Sequence, residues 1–124
     1  MNPTTEPPVL RTRDARGVVT LTLNRPQAFN SLSETLLTAL QQELDGVAED
    51  SGARVVVLAA SGKAFCAGHD LKEMRADPSL AYYQRLFAQC GAMMLSVQRL
   101  PVPVIARVQG IATEIGRASC RERV

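Results

Sequence analysis

The chain has no apolar run approaching the ~18 residues that a membrane helix requires. Its N-terminus, with Glu6 and prolines at positions 3, 7 and 8, has no apolar h-region of a secretory signal. Charge of one sign is not in excess either: 14 Lys+Arg against 12 Asp+Glu leave a formal net charge of +2, with the basic residues scattered, so there is no electrostatic ground for a nucleic-acid partner. Cysteine is scarce. Cys66, Cys90 and Cys120 are an odd number, far apart, with neither C-x-x-C nor Cys/His ligand spacing, which implies reduced thiols, no disulfide and no metal. Together these absences lead to the expectation of a cytoplasmic protein with neither membrane nor nucleic acid as a partner. Histidine occurs once, at His69, and a lone histidine beside a glycine turn reads first as a polar loop residue rather than a general base.

What is present suits one globular domain. Of the 124 residues 46% are hydrophobic and 21% charged, enough apolar material for a core. Residues 1–8 are polar and Pro-rich and read as a loose tail. Val9 to Arg13 and Val18 to Leu23 flank Asp14-Ala15-Arg16-Gly17, and the second run alternates, which predicts a β-hairpin. Ser31-Leu-Ser-Glu34 has capping-box spacing, and Leu36, Leu37, Leu40, Leu44 and Val47 follow at helical intervals, predicting an amphipathic helix to about Glu49. Arg54 to Ala60 is a short, β-branched apolar run, the pattern of a strand buried on both faces. Asp77-Pro78 is suited to starting a second long helix, in which Leu80, Tyr83, Phe87, Cys90, Met94 and Val97 make one apolar stripe to about Arg99. Pro101 and Pro103 bracket the entry to a last strand, Val104 to Val108. The order β-β-α-β-α-β predicts an α/β (α+β) domain with parallel pairing across the helices.

The stretch Ser61 to Met74, SGKAFCAGHDLKEM, turns the buried strand into a helix through an exposed loop. Ala64, Cys66, Ala67 and Gly68 are small, so a ligand can approach the main chain, and Gly68 can take φ > 0. Backbone N–H groups in such a loop, next to the start of a helix at Asp70, suit a developing anion. Ser61-Gly-Lys-Ala64 is not a phosphate loop, because Val57 stands where the first glycine belongs and Ala64 replaces Ser/Thr. Cys66 reads as a packed small residue rather than a nucleophile. Asp70, Lys72 and Glu73 on their own read as a solvated helix face.

Three motifs in order, N-R-P-Q-A-F-N-S-L (Asn24 to Leu32), A-F-C-A-G-H-D-L-K-E (Ala64 to Glu73) and P-V-P-V-I-A-R-V-Q-G (Pro101 to Gly110), resemble the enoyl-CoA hydratase/isomerase family, the crotonases. The resemblance places residues 9–113 as the N-terminal half of a crotonase-like domain, a ββα spiral truncated after about the fourth strand. It implies an enzyme, a hydratase (lyase) or isomerase acting on an enoyl-CoA thioester through an enolate held in an oxyanion hole. It assigns the first oxyanion donor to the backbone N–H of His69 and, by count from Gly110, the second to Ile115. It assigns substrate contacts to Ala67, Gly68, His69, Asp70, Leu71 and Lys72, and CoA contacts to Arg25 and Ala28. The substrate brings its own coenzyme A, so no separate cofactor is implied. The whole family protein is expected to be a homotrimer or hexamer.

Residues 114–124 depart from the family pattern. Ala118 falls where a catalytic glutamate is often found and carries no acid/base group, and three arginines follow Gly116 without apolar periodicity. We read this tail as a frameshifted or vector-derived extension and expect the chain as it stands to be inactive. The alternative the sequence leaves open is a non-catalytic member of the fold, a CoA-ester-binding or interaction module.

Overall fold

The computed structural model describes residues 6–112. β1 (Val9–Arg13) and β2 (Val18–Leu23) form the predicted hairpin, antiparallel with Val9 opposite Leu23. Its turn is held by Asp14, whose Oδ1 accepts from the N–H groups of Arg16 and Val18 at 2.8 and 3.1 Å. Hydrogen bonding from the Arg16 side chain, then from the Val18 N–H, holds the Asp14 carboxyl below its ordinary value. Gly17 closes the turn at φ +86°, where a Cβ would meet the Gly52 carbonyl oxygen. The carbonyls of Pro7 and Pro8 accept from the Asn24 side-chain amide and backbone N–H, tying the chain just ahead of β1 to the end of β2.

α1 (Glu34–Ala48) carries the chain over the sheet to β3 (Val55–Ala60), which pairs parallel with β2, and β4 (Val104–Ala106) pairs parallel with β3. The sheet order is therefore β1-β2-β3-β4. Each parallel step needs a helical crossover, as expected for strands that run the same way. The alternation of β2 turns Val19, Leu21 and Leu23 inward, against Leu36, Leu37, Leu40, Leu44 and Val47 of α1. The helix begins two residues later than the capping-box reading placed it. Ser33, not Ser31, is the N-cap, accepting from the Leu36 N–H at 3.1 Å, because Ser31 lies in a bridging turn that ties Leu32 to the central loop.

After the short α2 (Leu71–Ala76), α3 (Leu80–Arg99) starts at an N-cap on Ser79 rather than at Asp77. Its buried stripe is Tyr82, Leu86, Cys90, Met93 and Val97. The stripe predicted from the sequence shares only Cys90 and Val97 with it. Phe87, expected in the core, is 48% exposed, and Met94 is half-buried. The helix carries two neighbouring apolar seams, and the one that buries is fixed by polar ties that periodicity does not contain. The Gln41 side-chain amide donates to Ser96 Oγ at 2.8 Å and the Gln89 amide to Thr38 Oγ1 at 3.0 Å, joining α1 to α3. Gln41 is consequently half-buried, while Gln42, Gln84 and Arg85 are exposed. Tyr82 can bury its ring because its hydroxyl reaches Glu73 Oε1 at 3.3 Å.

Candidate functional site

β3 delivers the chain into the loop 61–70, and two distant segments grip that loop from either side. On one side the chain turns sharply through Pro26–Ala28, and Phe29 and Asn30 both sit at φ +53°. The Ala67 N–H donates to the Phe29 carbonyl at 3.1 Å and the Leu32 N–H to the Gly68 carbonyl at 2.7 Å. Asn30, fully buried, accepts from the Arg25 N–H at 2.7 Å and donates to the carbonyls of Ser61 and Ala64, both at 2.9 Å. On the other side, the Phe65 and Cys66 N–H groups donate to the Ile111 carbonyl at 3.0 and 3.1 Å. The Gln109 amide nitrogen lies 3.1, 2.9 and 3.2 Å from the carbonyls of Ala60, Gly62 and Ala64. Gly110 runs so close to Lys63 that a Cβ there would collide with the Lys63 carbonyl oxygen. The three sequence motifs thus meet at one place.

Within that grip, Gly68 is buried at φ +91°, Ala67 is exposed, and His69 is half-buried and forms a parallel bridge with Leu32. The imidazole of His69 packs edge-on against Phe87, with ring centroids 5.0 Å apart and planes at 61°. Asp70 caps α2, its Oδ1 accepting from the Glu73 N–H at 3.2 Å, and Leu71 and Lys72 stand exposed on the first turn. Arg25 and Ala28 share a pocket of about 140 Å³ with Ser31, Ser33, Thr35, Asp70 and Glu73. The Arg25 Nε is buried without a hydrogen-bond partner among the described residues. Two larger hollows, of about 370 and 460 Å³, lie against α1 and are lined by none of the predicted site residues, so size alone does not mark the site. Ile115 and Ala118, with the rest of residues 113–124, lie outside the described residues.

Sequence reasoning did not identify the residues that hold the site together. Glu73 Oε1 accepts from the Glu34 N–H at 2.8 Å and from the Tyr82 hydroxyl, fastening α2 to the starts of α1 and α3. Burial, and then the Glu73 and Glu34 carboxylates, push the Tyr82 hydroxyl up to about 12. Asn30 and Gln109 both stand inside the quoted motifs, yet nothing local distinguishes them from solvated amides. The one usable signal was that Asn tolerates the left-handed conformation better than most residues. Among the described residues no three His, Cys, Asp or Glu side chains gather as a metal site would need.

A family model described as Enoyl-CoA hydratase/isomerase matches residues 13–118. Over 109 residues the chain is 38% identical to the mitochondrial enoyl-CoA hydratase domain-containing protein 3 of Xenopus laevis, covering 88% of this chain and 37% of that protein. Among solved structures, an enoyl-CoA hydratase from Mycobacterium smegmatis shares 69% identity at a TM-score of 0.82, over 83% of this chain and 40% of that one. An enoyl-CoA hydratase from Bacillus anthracis shares 38% identity at a TM-score of 0.84, over 90% and 44%. The chain thus spans well under half the length of each of these relatives. The mitochondrial relative overturns the cytoplasmic expectation. Scattered cysteines without pairing or ligand spacing could not decide the matter, because more than one compartment keeps thiols reduced. With its three motifs brought together and most of its length matched, the chain belongs to the enoyl-CoA hydratase/isomerase family.

Proposed function

We propose that the loop 61–70 binds the thioester carbonyl of an enoyl-CoA and that the whole protein containing it hydrates or isomerises that substrate. The observation that carries this reading is the double grip on the loop, from residues 25–32 on one side and 109–111 on the other, which fixes the backbone at His69. In hydration, water adds across the C2=C3 bond. The water oxygen bonds to C3 as one of its O–H bonds gives its proton to a general base, the C2=C3 π electrons move onto the thioester oxygen as an enolate, and the enolate collapses as C2 takes a proton from a general acid. Isomerisation passes through a different thioester enolate, a dienolate formed by loss of a proton from C2 and quenched by a proton at C4, with its charge on the same oxygen. An N–H donor already aimed at that oxygen lowers the barrier by ~3 kcal/mol. In this role the His69 backbone is the donor and its imidazole takes no part in the chemistry. Ile115 would supply the second donor. Arg25 and Ala28, with Asp70 beside them, border the pocket that receives the CoA, while Ala67, Gly68, Leu71 and Lys72 frame the thioester.

The 124-residue chain alone does not turn over, because general acid–base groups contribute about 10²- to 10⁴-fold and Ala118 supplies none. A homotrimer or hexamer belongs to the whole protein. The experiment is loss of crotonyl-CoA absorbance at micromolar protein, measured for this chain and for the whole protein side by side. Turnover by the whole protein alone is expected. A fragment matching it would refute the argument from the missing acid/base group at Ala118. The missing acid/base group at Ala118 also supports a second reading, a CoA-ester-binding member without catalysis, and a whole protein that binds crotonyl-CoA without consuming it would establish that one.

A further inference from the structure

α3 buries Tyr82, Leu86, Cys90, Met93 and Val97, and Phe87 lies off that stripe, nearly half exposed, although a phenylalanine on an amphipathic helix ordinarily goes inward. The ring is nonetheless held. Its centroid lies 5.0 Å from that of His69 in an edge-on contact and 6.3 Å from that of Tyr83, tilted by 35°. Tyr83 is itself fastened, its hydroxyl donating to the Met74 carbonyl at 3.1 Å. Phe87 is therefore an oriented apolar face standing beside the residue whose N–H is assigned to the thioester oxygen. A carbonyl bound at His69 puts the first acyl carbons next to that residue, and any group they carry on the α3 side meets Phe87.

We infer that Phe87 is a specificity-determining wall for the acyl group and selects planar, π-bearing acyl groups, aryl ones foremost, over saturated groups of the same size. The inference rests on the proposed thioester binding at His69. Its physical basis is the quadrupole of the phenyl ring. Aromatic partners gain from edge-on or offset contact at centroid distances of about 4.5–7 Å, beyond what their buried area supplies, whereas a saturated ring gains only area. One such pair corresponds to a preference of about 2- to 12-fold.

The test uses phenylacetyl-CoA and cyclohexylacetyl-CoA, which share a carbon skeleton and differ in the π system, titrated calorimetrically into the 124-residue chain with free CoA as reference. His69 is the only histidine, so its Cε1–H proton gives one assignable NMR signal next to Phe87. Phenylacetyl-CoA is expected to bind about 2- to 12-fold more tightly and to move that signal more than its saturated counterpart does. Phe87→Leu should bring the ratio of the two affinities close to one, and Phe87→Tyr should keep it. Equal affinities for the unaltered chain, or a preference that survives Phe87→Leu, would each overturn the inference while leaving thioester binding standing, and phenylacetyl-CoA binding that leaves the His69 signal in place would overturn both. Failure of free CoA and both thioesters to bind would overturn the functional reading, and the selectivity with it.

Discussion

Replacing Asn30 by alanine measures how firmly the loop is held. The side chain is wholly buried, accepts one backbone hydrogen bond at 2.7 Å, donates two at 2.9 Å, and sits on a residue at φ +53°. Alanine removes all three bonds, each contributing a net ~0.5–1.5 kcal/mol, and leaves the Arg25 N–H and two carbonyls to find other partners. It also meets the left-handed backbone without the local hydrogen bonding that makes asparagine tolerant there, about 1 kcal/mol more. The expected loss is ~3–5 kcal/mol, a large share of the 5–15 kcal/mol typical of a domain. With a urea slope of about 2 kcal/mol per molar, the unfolding midpoint should fall by roughly 1.5–2.5 M. Asn30→Gly loses the same bonds without the backbone penalty, so it should be milder by about 1 kcal/mol. Asn30→Asp keeps the acceptor but faces two carbonyls with a carboxylate, so it should be at least as damaging as alanine at neutral pH and recover partly in acid. A midpoint shift under about 0.5 M for Asn30→Ala, at unchanged slope, would show that these bonds do not hold the loop. Equal losses for glycine and alanine would remove the backbone contribution.

Gly110→Ala places a methyl against the Lys63 carbonyl and should push Ile111 away from Phe65 and Cys66, costing ~2 kcal/mol in the same urea experiment; an unchanged midpoint would mean that the two segments separate at little cost. The Tyr82 hydroxyl, raised from 10.0 to about 12 on folding, favours the protonated form in the native state. Its contribution is complete below pH 10 and lost as pH rises from 10 towards 12, so stability should decline across that window in the native sequence and decline less in Tyr82→Phe. In the whole protein, His69→Ala should leave turnover largely in place and His69→Pro, which has no N–H, should reduce it by at least ~100-fold. Equal, severe losses in both variants would show that the imidazole takes part.

β2 and the first long helix were legible because each obeys one period, whereas β4 ends at Ala106, two residues short of the Val108 expected. The alternation of Val19, Leu21 and Leu23, and the three- and four-residue steps from Leu36 to Val47, each admit a single inward face. α3 was half legible, because its apolar residues satisfy two seams. The choice between them rests on Gln41, Gln89 and the Tyr82–Glu73 hydrogen bond, contacts made across more than fifty residues for the two glutamines. Ser31 failed as a cap for a related reason, since its turn is used to bridge Leu32 to the loop before α1 begins. For the candidate site, the small residues and the glycine before His69 could be read from spacing. The clamps could not, because Asn30 and Gln109 act on carbonyls 31 to 49 positions away.

That division between readable loop and unreadable clamps follows from the chemistry proposed for the site. A backbone N–H donor places no demand on the side chain at its own position; it demands that the backbone be held at one orientation. The demand falls instead on residues that hold carbonyls and N–H groups around the loop, here Asn30, Gln109 and the close approach of Gly110. The side chain at position 69 is then available for another purpose, and in this chain it lies against Phe87. Substitutions should separate accordingly. Changes at Asn30, Gln109 or Gly110 move the donor and lower turnover for every acyl group alike, whereas changes at Phe87 alter which acyl group is preferred and leave the donor where it is. A Phe87 variant that slowed all thioesters equally would place the ring among the supports of the loop instead.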